Sequence, residues 1–390
     1  MRKMKDSGID IVGEMPSEWD LIRLRYLVKI TTGDSDTQDA DPDGIYPFYV
    51  RSPIVERSSS YTFNGEGILM AGDGAGAGRI FHHAFGKYAV HQRVYRLFDF
   101  KINSNFLFYF ISNLFPSVMD KGSAQSTVPS VRLPMLQNFE VCQPPLPEQK
   151  KIADFLDGKC ADIDQIRADI EKQIEILTDY KKSVITEAVT KGLDPRAKMK
   201  DSGIEWIGKI PEHWEIKPIK TIAKIYNGRE VEEELDENDF DAIRVFGSGG
   251  VFKFTNKSLY EGEAVLFGRK GTIGKPMIVS GAFWTVDTMY YSVCKQGNDN
   301  RFLYYILTVF PWEPYTTQTA LPSVVATEIF RNSIGVPSFP EQKKITDFLD
   351  EKCTEIETAI AEKQKQLETL EEYKKSLIFE YVTGKKEVPT

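Results

Sequence analysis

Four glycines at alternate positions, Gly72, Gly74, Gly76 and Gly78, stand in "MAGDGAGAGRIF" over residues 70–81. A glycine-rich turn that lets backbone N–H groups approach a phosphate is one way a chain holds a nucleotide. This run does not complete G-x-x-x-x-G-K-[S/T], because Ala77 occupies the position of the second glycine and no lysine follows. It fits only a loose G-x-G-x-x-A pattern. A later stretch, "FGRKGTIGKPM" at 267–277, keeps a six-residue spacing through Gly268 and Gly274, with Arg269 and Lys270 in place of glycine and acid. A dinucleotide site is therefore not preserved between the two.

Other reactive groups lead no further. His82, His83 and His91 are a possible ligand set for a metal, but the matching positions of the later stretch read as Ile278, Val279 and Asp287. Contact with a base or a phosphate is the better use for these histidines. "QPPL" at 143–146 differs at both ends from the D/N/S-P-P-Y/F/W tetrapeptide of amino-methyltransferases. Gln143 and Leu146 supply neither the amino-group acceptor nor the stacking ring that such chemistry needs, and the stretch reads as a proline-rich lead into a helix. Glu148-Gln149-Lys150 and Glu341-Gln342-Lys343 carry the E-x-K spacing of some nuclease sites, yet both fall at helix starts, where a glutamate complements the helix dipole. The four cysteines, Cys142, Cys160, Cys294 and Cys353, form no C-x-x-C pair and read as small buried thiols. No catalytic residue and no metal ligand is assigned.

Composition bounds the function class. With 390 residues, 41% hydrophobic and 27% charged, the chain is an ordinary multidomain globular protein. No apolar run reaches the length that spans a bilayer, and the N-terminus lacks the apolar core of a secretory signal, so no membrane association and a cytoplasmic location are expected. The net charge of −8 is awkward for a nucleic-acid binder.

The elements that position these residues are written twice. "KMKDSGIDIVGEMPSEW" at 3–19 recurs as "KMKDSGIEWIGKIPEHW" at 198–214, and "PEQKKIADFLDGKCADID" at 147–164 recurs as "PEQKKITDFLDEKCTEIE" at 340–357. The offsets are 195 and 193, the mark of a duplicated unit. Between these matched ends the copies diverge, as "DSDTQDADPDG" against "REVEEELDEND" illustrates. A constant frame around a divergent interior suggests one scaffold offered to two targets.

Aromatic and β-branched runs broken by glycine and proline predict an α+β domain over 1–146 and a second over 194–339, each with a helical stretch at "NFLFYFISNLF" or "RFLYYILTVF". Apolar residues spaced three and four apart predict a long helix over 147–193 and another over 340–384, leaving a tail at 385–390. At roughly 40 residues each would be about 60 Å long. Neither can cover its own apolar stripe, so the two are expected to pair as an antiparallel coiled coil with pseudo-twofold symmetry.

With this layout, the repeated openings and "GRKGTIGK", the whole chain resembles the specificity subunit of type I restriction-modification enzymes. The resemblance implies two target recognition domains, each reading one half of a bipartite double-stranded DNA sequence, on a coiled-coil spacer. It also implies that the spacer docks two methyltransferase subunits, which hold S-adenosylmethionine and methylate adenine, and that motor and nuclease subunits join for restriction. The chain itself would carry no cofactor and no catalytic centre.

On this reading Arg269, Lys270, Thr272 and Lys275 are the expected DNA contacts of the second head. Arg79, Gln92 and Arg93 are those of the first, with Gln125 and Gln318 as further candidates from "GSAQSTVPSV" and "TTQTALPSV". Ile163, Ile170, Leu177, Ile356, Leu370 and Leu377 mark the docking helices. Neither head is basic, with 15 Lys and Arg against 17 Asp and Glu over 1–148 and 17 against 18 over 195–340, so partner subunits are expected to complete the grip on DNA. A non-DNA interaction scaffold and a fused methyltransferase or nuclease with degenerate motifs remain the alternatives.

Overall fold

The computed structural model describes residues 2–122 and 129–389, so Gln125 lies outside the described residues. The chain divides into two compact units that cut across chain order: Met1–Ile170 with Lys365–Thr390, and Glu171–Gln364. Each unit therefore holds one head, the first part of that head's own long helix and the last part of the other long helix.

The two heads share one topology despite their divergent interiors. In the first, a four-stranded antiparallel sheet runs in the order Lys29–Thr32, Val94–Phe98, Gly67–Ala71, Phe81–Ala84. In the second, the same order is Ala223–Asn227, Met289–Cys294, Ala264–Gly268, Met277–Val279. A second four-stranded sheet in each head has a parallel central pair, Tyr46–Tyr49 with Lys87–Val90 and Ile243–Gly247 with Ala282–Thr285. The strands "GILMA" and "AVLFG" are buried at every position, which accounts for their unbroken apolar character. Helices Ser104–Gly122 and Asn300–Val309 supply the aromatic side chains of the two main cores.

The repeated sequence ends have repeated jobs. In the opening hairpin the Asp6 and Asp201 carboxylates each accept from a glycine N–H two residues on, at 2.9 Å in both units. Those glycines, Gly8 and Gly203, sit at φ +73° and +67°, where a side chain would be strained. At the other end, Gln149 accepts from the Asn103 N–H at 2.8 Å and donates to the Pro144 carbonyl at 2.7 Å, and Gln342 does the same with Asp299 and Pro337. Glu148 and Glu341 each accept from a buried tryptophan indole, Trp19 and Trp214. The E-x-K triplets thus bolt a helix to its head, which leaves their glutamates committed to structure.

The long helices run Leu146–Lys191 and Phe339–Val382. They pair antiparallel within each unit. In the first, Lys374 bonds Asp164 at 2.6 Å and Phe155 meets Tyr381 at 4.6 Å; in the second, Lys181 pairs with Glu357. Ile163, Ile356 and Leu377 are buried, and Ile170, Leu177 and Leu370 are half-buried. Ile163 and Leu377 belong to the core of the first unit, with Leu370 packed against it. Cys142, Cys160 and Cys353 are buried and Cys294 is half-buried; all four are free thiols. Among the described residues, no helix is long and apolar enough to cross a membrane.

Candidate nucleic-acid interface

The glycine-rich stretch leaves the buried strand Gly67–Ala71 and turns back into Phe81–Ala84. Gly74 and Gly78 take φ +77° and +64°. A Cβ on Gly78 would lie 2.7 Å from Met119, so the glycine seats the turn against the helix Ser104–Gly122. The loop is held on its other side by "PSV": Gly74 N–H donates to the Pro129 carbonyl at 3.0 Å, and Val131 N–H to the Gly72 carbonyl at 2.7 Å. In the second head Gly271 and Val324 make the same two bonds, to Pro322 and Arg269, at 2.9 and 3.0 Å.

These bonds fix which residues correspond. Gly72 N–H donates to Arg93, and Arg269 N–H to Thr288, while Asp73 and Lys270 bridge Ser130 and Ser323. Gly72 therefore matches Arg269 and Asp73 matches Lys270, one residue away from the alignment suggested by the six-residue glycine spacing. Strand register likewise places His82 opposite Leu69 and Met277 opposite Leu266, so His82 matches Met277, His83 matches Ile278 and His91 matches Val286. The positions read from sequence, Ile278, Val279 and Asp287, were each one residue too far, because small insertions shift the offset inside the head.

Around the first loop, the Asp73 carboxylate accepts from Arg51 Nη1 and Arg93 Nη1, each at 2.8 Å. Partial burial works to raise this carboxyl, but the hydrogen bonds and charges of the two arginines outweigh it and hold it below its ordinary value. Gln92 and Arg93 are exposed on the turn after His91. His91 itself is buried; its Nδ1 accepts from the Arg93 N–H at 3.0 Å and its ring stacks on Phe48, so it shapes the turn. Arg79 is exposed but bonds Asp120 at 2.5 Å, apart from the Asp73 cluster.

In the second head Arg269 is half-buried, with its guanidinium 5.8 Å over the Tyr290 ring, and Lys270 and Lys275 are exposed. Thr272 is half-buried, and its carbonyl fills the space where a Cβ on Gly268 would sit, at 2.0 Å. Gln318 is exposed on the loop that Thr317 and Ser323 close. The fold thus gathers Arg269, Lys270, Thr272 and the Gln318 loop in one head, and Gln92 and Arg93 in the other. The matched trio of positions is Arg51, Asp73 and Arg93 in the first head against Ser248, Lys270 and Thr288 in the second.

The histidines of the first head serve separate partners. His82 Nε2 is 3.0 Å from the Ser52 carbonyl, and His83 Nε2 is 2.9 Å from Glu66 with its ring stacked on Phe108. Among the described residues no group of three or more His, Cys, Asp or Glu is placed to hold a metal. Burial holds His82, His83 and His91 below the ordinary value of 6.5, outweighing the Glu66 and Asp36 carboxylates that favour the charged form. The unfolded chain then binds protons that the folded head refuses, so stability is full above about pH 6.5 and falls on acidification. Hydrogen exchange at about pH 7.5 and about pH 5.5 is expected to show protection of Phe81–Ala84 dropping more than that of Met277–Val279, which carries no histidine. Equal loss in the two strands would refute this.

Over residues 16–176 and 211–369 the chain matches the family model described as the type I restriction modification DNA specificity domain. The chain belongs to this DNA specificity family. It is 26% identical over 413 residues to the type I restriction enzyme MjaVIII specificity subunit of Methanocaldococcus jannaschii, covering 95% of this chain and 93% of that one. To the putative MjaX specificity subunit of the same organism it is 25% identical over 438 residues, 97% of this chain and 96% of that one. A 177-residue match, 29% identical, links 45% of the chain to 39% of the Escherichia coli EcoDI specificity subunit. Among solved structures, a chain from a study of complex assembly and conformational transition of the type I R-M system superposes with a TM-score of 0.70 at 12% identity, over 95% of this chain and 99% of that one. At that identity the likeness speaks for the fold.

Arg51 and the role of Asp73 were missed in the sequence. Arg51 stands far along the chain from the glycine run, after a strand whose pairing with Lys87–Val90 is parallel and so leaves no hairpin signature.

Proposed function

We propose that this chain is the sequence-reading subunit of a type I restriction-modification assembly. Each head contacts one half of a bipartite double-stranded DNA target, and the paired long helices act as the spacer and as the docking platform for two methyltransferase subunits. The methyltransferases supply S-adenosylmethionine and methylate adenine, and motor and nuclease subunits join them; this chain supplies recognition and no catalytic step. The subunit works in the cytoplasm, where its DNA lies.

One observation carries the reading. The same loop, held by the same backbone bonds, is built twice on one topology, and the residues at matched positions differ: Arg51, Asp73 and Arg93 against Ser248, Lys270 and Thr288. A shared phosphate or metal site would keep its ligands in both copies, whereas two readers of different sequences must change them.

The test is reconstitution with the partner methyltransferase. Methyl transfer to adenines of one bipartite motif is expected from the assembly and none from the chain alone. Transfer by the isolated chain, or by the assembly irrespective of sequence, would overturn the proposal.

A further inference from the structure

The Asp73 cluster of the first head combines two features that a simple grip on the DNA backbone does not need. The carboxylate is the covered member, its side chain 18% exposed, whereas those of Arg51 and Arg93 are 43% and 61% exposed. Each arginine spends one Nη1 hydrogen bond on Asp73, and each carboxylate oxygen serves one arginine. Asp73 forms the wall shared by two depressions. One is lined by Thr32, Gln92, Arg93 and Ser130, and the other by Thr37, Arg51 and Ser52.

A guanidinium has five N–H donors in a rigid fork, so one bond to Asp73 restricts the orientations of its plane and leaves a pair of donors free. Holding a phosphate calls for charge rather than a fixed plane, and a nearby carboxylate weakens that attraction. Reading a base edge calls for the plane. Guanine presents O6 and N7 side by side in the major groove, matched to such a fork. The carboxylate thus lowers affinity in general while removing in advance the rotamer freedom that an arginine would lose on docking. In the second head the matched residues, Ser248, Lys270 and Thr288, contain no guanidinium and no carboxylate.

We propose that Asp73 is a positioning residue that presents Arg51 and Arg93 to two guanine bases, so that the half-target of the first head contains guanines read through their major-groove edges. The second head reads its half-target without this device. The proposal rests on the reading of the heads as DNA-contacting domains.

The test uses the assembly with its methyltransferase subunits and duplexes carrying the methylated motif. 7-Deazaguanine, which lacks only the N7 acceptor, replaces each guanine of the first head's half-target in turn. The parent assembly is expected to lose about 10- to 100-fold in affinity at two positions. Arg51→Lys and Arg93→Lys, which keep the charge and lose the fork, should each weaken the natural duplex comparably and become indifferent to 7-deazaguanine at one of them. Asp73→Asn should bind random duplex more tightly and discriminate less at both. Discrimination at the other half-target, unchanged in every variant, reports an intact fold.

A first half-target without guanine would overturn the proposal. So would a loss that is equal on all duplexes with the salt slope lowered by about 1, the mark of a phosphate contact. In both cases the parent assembly still distinguishes sequences. If it distinguishes none, the DNA-reading function itself fails.

Discussion

Replacing Arg269 and Lys270 together by alanine is expected to weaken binding of the assembled complex to its target about 100-fold at moderate salt, and to flatten the dependence of log K on log salt by about 2. Both side chains leave a loop fixed by backbone bonds to Thr288, Pro322 and Val324, so the substitutions remove charge without loosening the turn. Among the described residues neither cation has an ion-pair partner; Lys270 is exposed, and Arg269 is half-buried over the Tyr290 ring. Arg79→Ala is the comparison, because that arginine is already engaged by Asp120. Fluorescence anisotropy over a salt series checks the prediction. A salt slope that stays the same in the double variant would remove these residues from the interface.

The two heads distribute similar charge differently. The matched trio sums to one positive charge in each: two arginines and an aspartate in the first, a lone lysine in the second. The second head adds Arg269, at the place where the first has Gly72. A Cβ at Gly72 would lie 2.8 Å from the Arg93 carbonyl and 3.2 Å from the Tyr95 ring, so that neighbourhood admits no side chain. The first head consequently draws its cations from flanking elements, at residues 51 and 93, and needs a carboxylate to orient them. Set against a net charge of −8 and heads without a basic excess, one or two cations per site are too few for tight binding by the chain alone.

What could be read in advance followed how strongly physics constrains each position. The hairpin "KMKDSGI", with its Asx turn and positive-φ glycine, and the helix-starting "PEQ" are invariant between the copies because their side chains complete backbone bonds that both heads require. The long helices were plain from spacing, since an apolar stripe repeated over some 40 residues has no other stable use. The interior was harder. Its strands keep their order while almost every exposed residue changes, and each loop insertion moves the offset, so Gly72 was matched to Gly268 where register gives Arg269. Contact candidates were legible where glycine exposes a cation in sequence, as at Arg269 and Lys270. Arg51 was not, because its place beside Asp73 depends on a parallel strand pair that brings distant segments together.

Trp19→Ala is expected to destabilise the first unit by about 3–5 kcal/mol, the range for emptying a fully buried large aromatic site. Trp19 is 0% exposed, its ring meets Phe106 edge-on at 6.5 Å, and its indole N–H donates to Glu148 at 3.1 Å. The other end of the chain closes over it: at Gly384, φ +71°, a Cβ would lie 2.9 Å from the ring. One side chain thus joins the opening hairpin, the start of the first long helix and the end of the second. Alanine removes the wedge on which all three converge, and Glu148 is left with Arg2 alone. Trp214 repeats the arrangement with Phe302, Glu341 and Gly192 in the second unit. Trp214→Ala should therefore destabilise that unit by a similar amount, and Trp19→Phe should recover part of the first loss through ring packing without the hydrogen bond. Urea unfolding followed by hydrogen exchange, with the helix Ser104–Gly122 reporting one unit and Asn300–Val309 the other, separates the two effects. A loss under 1 kcal/mol for either alanine variant would mean that the helix ends are held to the heads by something other than the repeated tryptophan.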